Sequence, residues 1–223
     1  MPIALSKTLD PATDYPELAP ELKIVDQHFT KASPQHEHRR WEYAMALRAF
    51  ETAFPREGAY YEDVEVVYDV GGAGSPFGAM FLARPHRHDV QFTVIDPAVN
   101  CDLATHLARE PRLASAVFCL SVLEHVDDLD QFLYHLSCLV APGGLLFLTL
   151  DCWNEHGPDT AHFHWDRKRI FSIADLKYFA GYGDDDCESL ANFSLLGEKD
   201  WVYHGHQLFA SYTFASLALV KRA

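Results

Sequence analysis

The sequence predicts a doubly wound α/β fold built on a mostly parallel β-sheet. Four short runs rich in valine, isoleucine, leucine and phenylalanine lie at 65–70, 90–96, 114–122 and 145–151, with helical or irregular connections between them. These runs are apolar on both faces, which is typical of strands buried inside a parallel sheet. Because strand, helix and strand alternate along the chain, we expect right-handed crossovers between parallel strands.

The N-terminal part shows two different patterns. Residues 1–35 contain several prolines and mixed charges without periodicity, and we predict an arm that lies on the domain or stays mobile. Residues 36–54 form one amphipathic helix, because apolar side chains recur at helical spacing. Those side chains are Tyr43, Leu47, Phe50 and Phe54.

The clearest helix follows the strand at 114–122. Asp127 or Asp128 caps it, its apolar side begins at Leu129, and Pro142-Gly143-Gly144 ends it. A capping box, Ser172 with Asp175, predicts another helix over 172–179. The segments 193–201 and 212–221 predict two strands that close the sheet as a hairpin, so the last strand is antiparallel.

Composition and charge narrow the range of partners. The 223 residues are 48% hydrophobic, which suffices for one core. A formal net charge of −14 opposes binding to nucleic acid, which depends on clustered lysine and arginine, so we expect a small-molecule partner. Because we find neither an apolar run approaching the roughly 20 residues that cross a bilayer nor a signal peptide, we expect a cytoplasmic chain without membrane binding. The sequence leaves open whether the chain forms a homodimer.

The stretch VVYDVGGAGSPFG, residues 66–78, places three glycines where the first strand ends and a helix should begin. Gly71, Gly72 and Gly74 allow a tight turn and the close approach of a ligand, although a plain tight turn would contain the same residues. The next strand ends at Asp96, and an acid at that place can accept hydrogen bonds from both hydroxyls of a ribose.

Asp69 distinguishes between two candidate ligands that fit this pattern. A nicotinamide dinucleotide would place its pyrophosphate at the turn, where a neighbouring carboxylate repels it. S-adenosylmethionine carries a sulfonium and an ammonium group, so the same carboxylate favours its binding. The GxGxxG spacing of dinucleotide sites is also incomplete, because Phe77 stands where the third glycine belongs.

The segment AVFCLSVLEHVDDLDQFLYHLSCLVAPGGLLFLTLD, residues 116–151, joins a strand, a Val-Leu-Glu-His turn, an amphipathic helix, a Pro-Gly-Gly break and another strand. With VVYDVGGAGSPFG and the strand-end acid of TVIDP, this order resembles the class I S-adenosylmethionine-dependent methyltransferases, in the subset with a V-L-E-H segment after the fourth strand. The resemblance covers about residues 64–152. It implies the Rossmann-like methyltransferase fold and methyl transfer to an O, N or C atom of a small molecule.

The resemblance also implies which residues contact the cofactor. Asp69 and the backbone of the glycine turn would face its methionine part, and Asp96 would hold the ribose. Residues at the end of the fourth strand would line the junction of cofactor and substrate. The implied cofactor positions are Asp69, Gly71, Gly72, Ala73, Gly74, Asp96, Pro97, Asp102, Leu120, Ser121 and Val122.

The chain departs from the family pattern at two places. Ala73 and Ser75 stand where the family alternates glycine. The interval 97–115 is too short for a helix, a third strand and a further connection. We expect the second helix to be lost or reduced to a turn, with Cys101-Asp102-Leu103 in place of the third strand's end. Asp102 would then reach the adenine amino group or remain a solvated surface acid.

We expect residues 36–223 to form a single domain after the arm. Its parts are a helical cap at 36–60, the cofactor-binding core at 64–152 and a substrate-side insertion at 153–190. The insertion leaves the carboxyl edge of the sheet and is rich in aromatic residues and histidine, so His156 or His164 is the candidate base. The alternative is that these side chains pack against the N-terminal helix. The resemblance implies that His125 orders the loop beside the cofactor, and the alternative is that it transfers a proton itself.

Four His-x-His pairs lie at 36/38, 86/88, 162/164 and 204/206. On a strand such a pair shares one face and can bind a metal, and His162 with His164 is the best candidate. None has an acid at a convincing spacing, so we predict no metal site. The five cysteines contain no C-x-x-C pair and indicate neither disulfides nor a zinc site.

Two other functions stay open beside methyl transfer. A nicotinamide-dependent oxidoreductase or epimerase is disfavoured by Asp69 and by the absence of a Tyr-x-x-x-Lys pair. A non-catalytic module with the methyltransferase fold is suggested by Ala73, Ser75 and the short 97–115 interval.

Overall fold

The computed structural model describes residues 3–29, 37–55, 64–84, 90–109, 111–153, 169–182, 187–204 and 213–223. The strands are β1 (Ser6–Thr8), β2 (Val66–Val70), β3 (Gln91–Ile95), β4 (Ala114–Leu120), β5 (Val140–Trp153), β6 (Phe171–Ser172), β7 (Phe193–Leu195), β8 (Lys199–Asp200) and β9 (Thr213–Lys221). The helices are α1 (Pro11–Glu17), α2 (Ala19–His28), α3 (Glu37–Ala53), α4 (Phe77–Leu82), α5 (Leu103–Leu107), α6 (Leu129–Leu139) and α7 (Ile173–Phe179). Short 3-10 turns lie at Leu123–His125 and Glu188–Leu190.

The strands form one sheet in the order β3-β2-β4-β5-β9-β1-β8, with β6 beside β5 and β7 beside β9. The four central strands β3, β2, β4 and β5 are parallel, and β9 runs antiparallel to β5. The predicted doubly wound, mostly parallel sheet with an antiparallel last strand is confirmed. Because the central strands are parallel, their carboxyl ends meet at one edge of the sheet.

The connection between β3 and β4 is short, as predicted. Within its described residues the chain makes a turn after Ile95 and then the five-residue helix α5. The prediction that Cys101-Asp102-Leu103 takes the place of a third strand's end is wrong, because Asp102 caps this helix and Leu103 begins it. The side chain of Asp102 caps it by accepting a hydrogen bond from the N–H of Thr105 at 2.7 Å.

Several boundaries refine the prediction. Asp128, and not Asp127, caps α6 by accepting a hydrogen bond from the N–H of Gln131 at 3.0 Å. α6 ends at Leu139, and β5 follows at once and runs through the Pro-Gly-Gly segment, which therefore does not end the helix. The capping box of α7 is confirmed. In the tail, β7 pairs with β9, whereas β8 pairs with β1.

The N-terminal segment belongs to the folded core. The sequence pattern predicts an arm that lies on the domain or stays mobile, and in the described residues β1 pairs with β9 and is followed by two helices. The side chains of Leu9, Leu18 and Val25 are completely buried. The prolines at 11 and 20 occupy the first turns of α1 and α2, where proline favours a helix because its missing donor is not needed.

Two apolar clusters cover the two faces of the sheet. One joins the N-terminal helices to an aromatic group that includes Phe50, Phe77, Phe81, Phe118 and Phe147. The other packs the leucines of α6 and the apolar side of α7 against β4, β5 and β9. None of the described helices combines the length and apolar character that crossing a membrane requires.

Candidate cofactor and active site

A cavity of about 420 Å³ opens at the carboxyl ends of β2 and β4. We call it the first cavity. Seven of the predicted cofactor positions line it, namely Asp69, Gly71, Gly72, Ala73, Gly74, Leu120 and Ser121. Six residues complete the wall, namely His28, Phe29, Arg39, Tyr43, Ser75 and Pro76. The N-terminal helices and the residue that follows α2 thus supply one side of the cavity.

The glycine turn is shaped by close approach to the strand ends. Gly71 has a φ of 80°, and a Cβ at this position would collide with the side chain of Val122. A Cβ at Gly72 would collide with the carboxylate of Asp69. Gly74 has a φ of 73°, but a Cβ there would meet no described atom within 4 Å. Gly71 and Gly72 therefore let the turn pack against Val122 and Asp69, whereas the space next to Gly74 stays open.

The carboxylate of Asp69 lies directly beneath this turn. Asp69 is 2% exposed, and its Oδ2 has no hydrogen-bond partner within the part of the chain that the structure describes. Burial raises the pKa of Asp69 to about 7, repulsion by Asp96 adds to the rise, and the Arg39 guanidinium opposes it. A buried carboxylate without a partner is unfavourable. A cation bound in the first cavity would relieve this cost.

Asp96 holds the glycine turn from the end of β3. Its Oδ2 accepts a hydrogen bond from the N–H of Ala73 at 3.1 Å, and its Oδ1 accepts one from the N–H of Ala98 at 2.8 Å. Each oxygen keeps a further lone pair that can accept from the hydroxyl of a ligand. Because Ala73 contributes its backbone N–H, its methyl group does not prevent this contact.

Ser75, the second departure from the family pattern, also has a structural reason. Its hydroxyl accepts a hydrogen bond from the N–H of Phe77 in the first turn of α4 at 3.1 Å. The same hydroxyl donates to that of Tyr43 at 3.2 Å. Ser75 therefore joins the glycine turn to α4 and to α3, a role that glycine could not perform.

Helix α3 brings a charged pair to the first cavity. Nε of Arg39 lies 3.8 Å from Oε2 of Glu42, and Nη1 of Arg39 donates to the carbonyl of Leu120 at 3.4 Å. The carboxylate of Glu42 is the main cause that raises the pKa of Arg39, so the guanidinium stays charged. The sequence pointed to neither residue as part of a site. Their i, i+3 spacing places them on one face of a helix but does not indicate a cavity.

A second cavity of about 440 Å³ lies beside the first, and Gly71 lines both. Three further predicted cofactor positions, Pro97, Asp102 and Val122, line it, and so does His125. Apolar side chains form much of the remaining wall, including Val70, Ile95, Leu103 and Phe132. Because the hydrogen bond from the N–H of Thr105 lowers its pKa, Asp102 presents an ionised helix cap in this wall.

The Glu124-His125 turn follows β4 and leads to α6. Glu124 is buried, and its Oε1 accepts a hydrogen bond from the N–H of Asp151. Burial raises the pKa of Glu124 to about 8, and repulsion by Asp151 contributes to the rise. His125 lines the second cavity, whereas Ser121 lines the first. A role for His125 in proton transfer stays a prediction.

Comparison with known proteins places the fold. No family model and no curated protein matches the chain. Among solved structures it is similar to the cyclase SpnF, with 17% identity over 94% of each chain and a TM-score of 0.51. The chain has the Rossmann-like methyltransferase fold.

Two methyltransferase structures are also similar to this chain. One is the 1,6-didemethyltoxoflavin-N1-methyltransferase of Burkholderia thailandensis, with 15% identity over 97% of this chain and 94% of that chain and a TM-score of 0.47. The other is the geranyl diphosphate C-methyltransferase of Streptomyces coelicolor, with 13% identity over 96% of this chain and 100% of that chain and a TM-score of 0.47. At these identities and TM-scores, neither similarity is evidence for the function of this chain.

Within this methyltransferase fold, the structure brings the predicted cofactor positions together. Ten of the eleven line one of the two cavities, and Asp96 is hydrogen-bonded to the turn between them. The candidate bases His156 and His164, the His162–His164 pair and most of the predicted insertion lie outside the described residues. Within the described part of the chain, we find no group of three or more histidine, cysteine, aspartate or glutamate residues that could hold a metal ion.

Proposed function

We propose that the chain is an S-adenosylmethionine-dependent methyltransferase that acts on an O, N or C atom of a small molecule. The observation that carries this proposal is the buried carboxylate of Asp69, whose Oδ2 lacks a hydrogen bond from any described residue and lies beneath the glycine turn. A ligand with an ammonium and a sulfonium group would supply the positive charge that this carboxylate lacks. A pyrophosphate would add repulsion at the same place.

The charged side chains of the first cavity suit the amino-acid end of the cofactor. Asp69 would accept hydrogen bonds from the ammonium group, and Arg39 would pair with the carboxylate. The guanidinium has donors to spare, because its one hydrogen bond to a described group is the long contact with the carbonyl of Leu120. Both residues line the first cavity, so one ligand can reach both.

The remaining parts of the cofactor fit the surroundings of Asp96 and the second cavity. Asp96 would accept hydrogen bonds from the ribose hydroxyls through its free lone pairs. The apolar wall formed by Val70, Ile95, Val122 and Phe132 would cover the adenine ring, and Asp102 in the same wall could accept from its amino group. Because Gly71 lines both cavities, a ligand that spans them passes over the turn at a residue without a side chain.

The bound cofactor supplies a methyl group activated by a positive sulfur. The chain then has to align the acceptor, exclude water and accept a proton where the acceptor carries one. Phe29, Tyr43, Leu120 and Ser121 line the first cavity and would contact the acceptor beside the methionine part. His156 and His164 remain proposed bases.

The fold by itself does not decide the reaction, since SpnF is by name a cyclase. Calorimetric titration with S-adenosylmethionine, S-adenosylhomocysteine and NAD tests the proposal. Binding of the first two without NAD supports it. Binding of NAD alone would contradict it in favour of a nicotinamide enzyme, and binding of none would favour a non-catalytic module.

A further inference from the structure

We propose that Ser121 and Glu42 form a proton relay that removes the proton of an aromatic hydroxyl group on the acceptor. This inference rests on the methyltransferase function proposed above. Ser121 lines the first cavity at the end of β4, and its hydroxyl donates a hydrogen bond of 2.5 Å to Oε1 of Glu42. Glu42 is completely buried on α3. A side chain at the cavity wall is thus joined directly to a carboxylate behind it.

The backbone of Ser121 is held in an unusual conformation that places this hydroxyl. Ser121 has a φ of 52°, the one left-handed value among the described residues other than glycine. This conformation is unfavourable for a residue with a Cβ. The N–H of Ser121 donates to both the carbonyl and the hydroxyl of Thr149, at 3.1 Å each. These two hydrogen bonds hold Ser121 in its left-handed conformation. Backbone strain maintained by surrounding bonds is concentrated at functional sites.

The hydrogen bonds around Ser121 and Glu42 leave one lone pair of the serine hydroxyl free to accept a further proton. A serine hydroxyl has two lone pairs, and no described donor reaches Oγ of Ser121 from the cavity. Behind it, Oε1 of Glu42 also accepts from the hydroxyl of Thr149. Oε2 of Glu42 has no hydrogen bond among the described residues and faces Nε of Arg39 at 3.8 Å. The carboxylate is therefore positioned to receive the serine proton.

The chemistry of the relay indicates the class of acceptor. A carboxylate is a weak base, and proton transfer to it is efficient only from a group that is acidic itself. A phenol, with a pKa near 10 as in tyrosine, meets this condition far better than an aliphatic alcohol. The wall of the first cavity also contains Phe29 and Tyr43, with ring centroids 6.0 Å apart, which suit a flat aromatic ring.

The proposed transfers balance. The acceptor proton moves to Oγ of Ser121 while the Ser121 proton moves to Oε1 of Glu42, which becomes a neutral carboxylic acid. The electron pair left on the acceptor oxygen forms the bond to the methyl carbon, and the pair of the broken carbon–sulfur bond stays on the sulfur of S-adenosylmethionine. Nothing is oxidised or reduced.

The kinetic test follows labelled methyl from S-adenosylmethionine to 4-nitrophenol, catechol and 2-naphthol, with cyclohexanol as the aliphatic comparison. We expect methylation of phenols, and for the best one a loss in kcat of at least about 100-fold in both Glu42→Gln and Ser121→Ala, with KM changed less than about threefold. Because the two residues handle one proton, the double variant should be no slower than the slower single variant. Two exposed matched controls, Glu198→Gln and Ser194→Ala, should keep the wild-type rate.

A second test needs no turnover. The complex with S-adenosylhomocysteine is titrated with 4-nitrophenol at a series of pH values, and its visible phenolate absorbance is recorded. We expect the bound phenolate to form at a higher pH in the wild type than in Glu42→Gln, because the negative charge of Glu42 behind Ser121 opposes a second negative charge beside it. Glutamine keeps the shape and the acceptor oxygen of Glu42, and thermal unfolding checks that this variant folds.

The outcomes separate this inference from the proposed function. If neither S-adenosylmethionine nor S-adenosylhomocysteine binds, the methyltransferase function itself is contradicted. If the cofactor binds, three results would overturn the relay: no phenol is bound or methylated, cyclohexanol is the better acceptor, or Glu42→Gln changes neither the rate nor the pH at which the bound phenolate forms.

Discussion

At the scale of single residues, Asp69 determines the charge that the first cavity accepts. We predict that Asp69→Asn weakens binding of S-adenosylmethionine at least about tenfold, or about 1.4 kcal/mol, because the amide cannot balance an ammonium group. Calorimetry measures this affinity. The control ligand is 5′-methylthioadenosine, which lacks the amino-acid part and should bind both proteins equally. Equal affinity of both proteins for S-adenosylmethionine would refute the assignment of Asp69.

Arg39 gives a second residue-scale prediction. If its guanidinium pairs with the cofactor carboxylate, Arg39→Gln weakens binding of S-adenosylmethionine about tenfold or more, since charge-assisted pairs are among the stronger hydrogen bonds. The same substitution should leave the affinity for decarboxylated S-adenosylmethionine within about twofold. A parallel loss for both ligands would show that Arg39 acts only on the shape of the cavity.

The residues that sequence alone identified are those whose neighbours in the chain explain them. Asp69 precedes a glycine turn, and Asp96 ends the next strand, so a local pattern contains the signal. Arg39, Glu42 and Ser121 are different, because α3 meets the ends of β4 and β5 only through tertiary packing. The resemblance placed Ser121 at a junction, but its left-handed backbone and its bond to Glu42 need the structure.

At the scale of elements, the glycine turn distinguishes two effects of a side chain. We predict that Gly71→Ala lowers the free energy of unfolding by about 2 to 4 kcal/mol, because it combines a left-handed φ with a collision against Val122. Gly74→Ala has the strain without the collision, so we expect a smaller loss of about 1 to 2 kcal/mol. Urea unfolding of the two variants measures both values. Equal losses would show that contact with Val122 is unimportant.

The N-terminal elements are joined to α3 by a buried network. Nζ of Lys7 lies 2.5 Å from Oδ1 of Asp14, and the indole N–H of Trp41 donates to its Oδ2 at 2.9 Å. Asp14→Asn leaves a buried ammonium without its counter-charge, so we predict a loss of about 3 to 5 kcal/mol in the free energy of unfolding.

A more exposed ion pair, Arg40 with Asp26, gives the matched control for this network. Asp26→Asn should cost less than about 1 kcal/mol, because water screens the pair. The midpoints of urea unfolding compare the two variants. If Asp14→Asn were as mild as Asp26→Asn, this network would not be what holds the N-terminal segment in place.

The sequence pattern did not predict α1, α2 and β1, and the reason is physical. α1 and α2 are 7 and 10 residues long, too short to be stable alone, and β1 has 3 residues. Their stability comes from burial against α3 and β9, which periodicity within the segment does not reveal. The longer elements β4, α6 and β9 carry their own patterns, and these were recognised.

At the scale of the whole molecule, buried acids make stability depend on pH. The pKa of Asp69 is raised to about 7 and that of Glu124 to about 8, whereas both are near 4 in an unfolded chain. The folded state therefore binds more protons than the unfolded state between about pH 4 and pH 8, so stability falls as pH rises through this window.

We predict that the cofactor-free protein loses about 1 kcal/mol or more of its free energy of unfolding between pH 6 and pH 8. Urea unfolding across this range measures the change. Asp69→Asn and Glu124→Gln remove the titrating groups and should each flatten the dependence. A profile that rises toward pH 8, or one that both variants leave unchanged, would contradict the burial of these acids as the cause.

The fold class followed from the alternation of strands and helices, and the shortened interval after β3 followed from its length. The order of strands beyond β9 did not, because β1 joins β9 from the other end of the chain and β8 pairs with β1. The first cavity likewise combines residues of the segment 64–152, which carries the resemblance, with residues from α2 and α3 that precede it.

The central claim is that a cationic ligand group balances Asp69 beneath the glycine turn. The most direct measurement is a crystal structure of the protein with S-adenosylhomocysteine, which keeps the amino group of the cofactor. We predict that its amino nitrogen lies within about 3.2 Å of the Asp69 carboxylate, with the ribose on Asp96. A complex with this nitrogen far from Asp69, or a pyrophosphate bound at the turn, would contradict the claim.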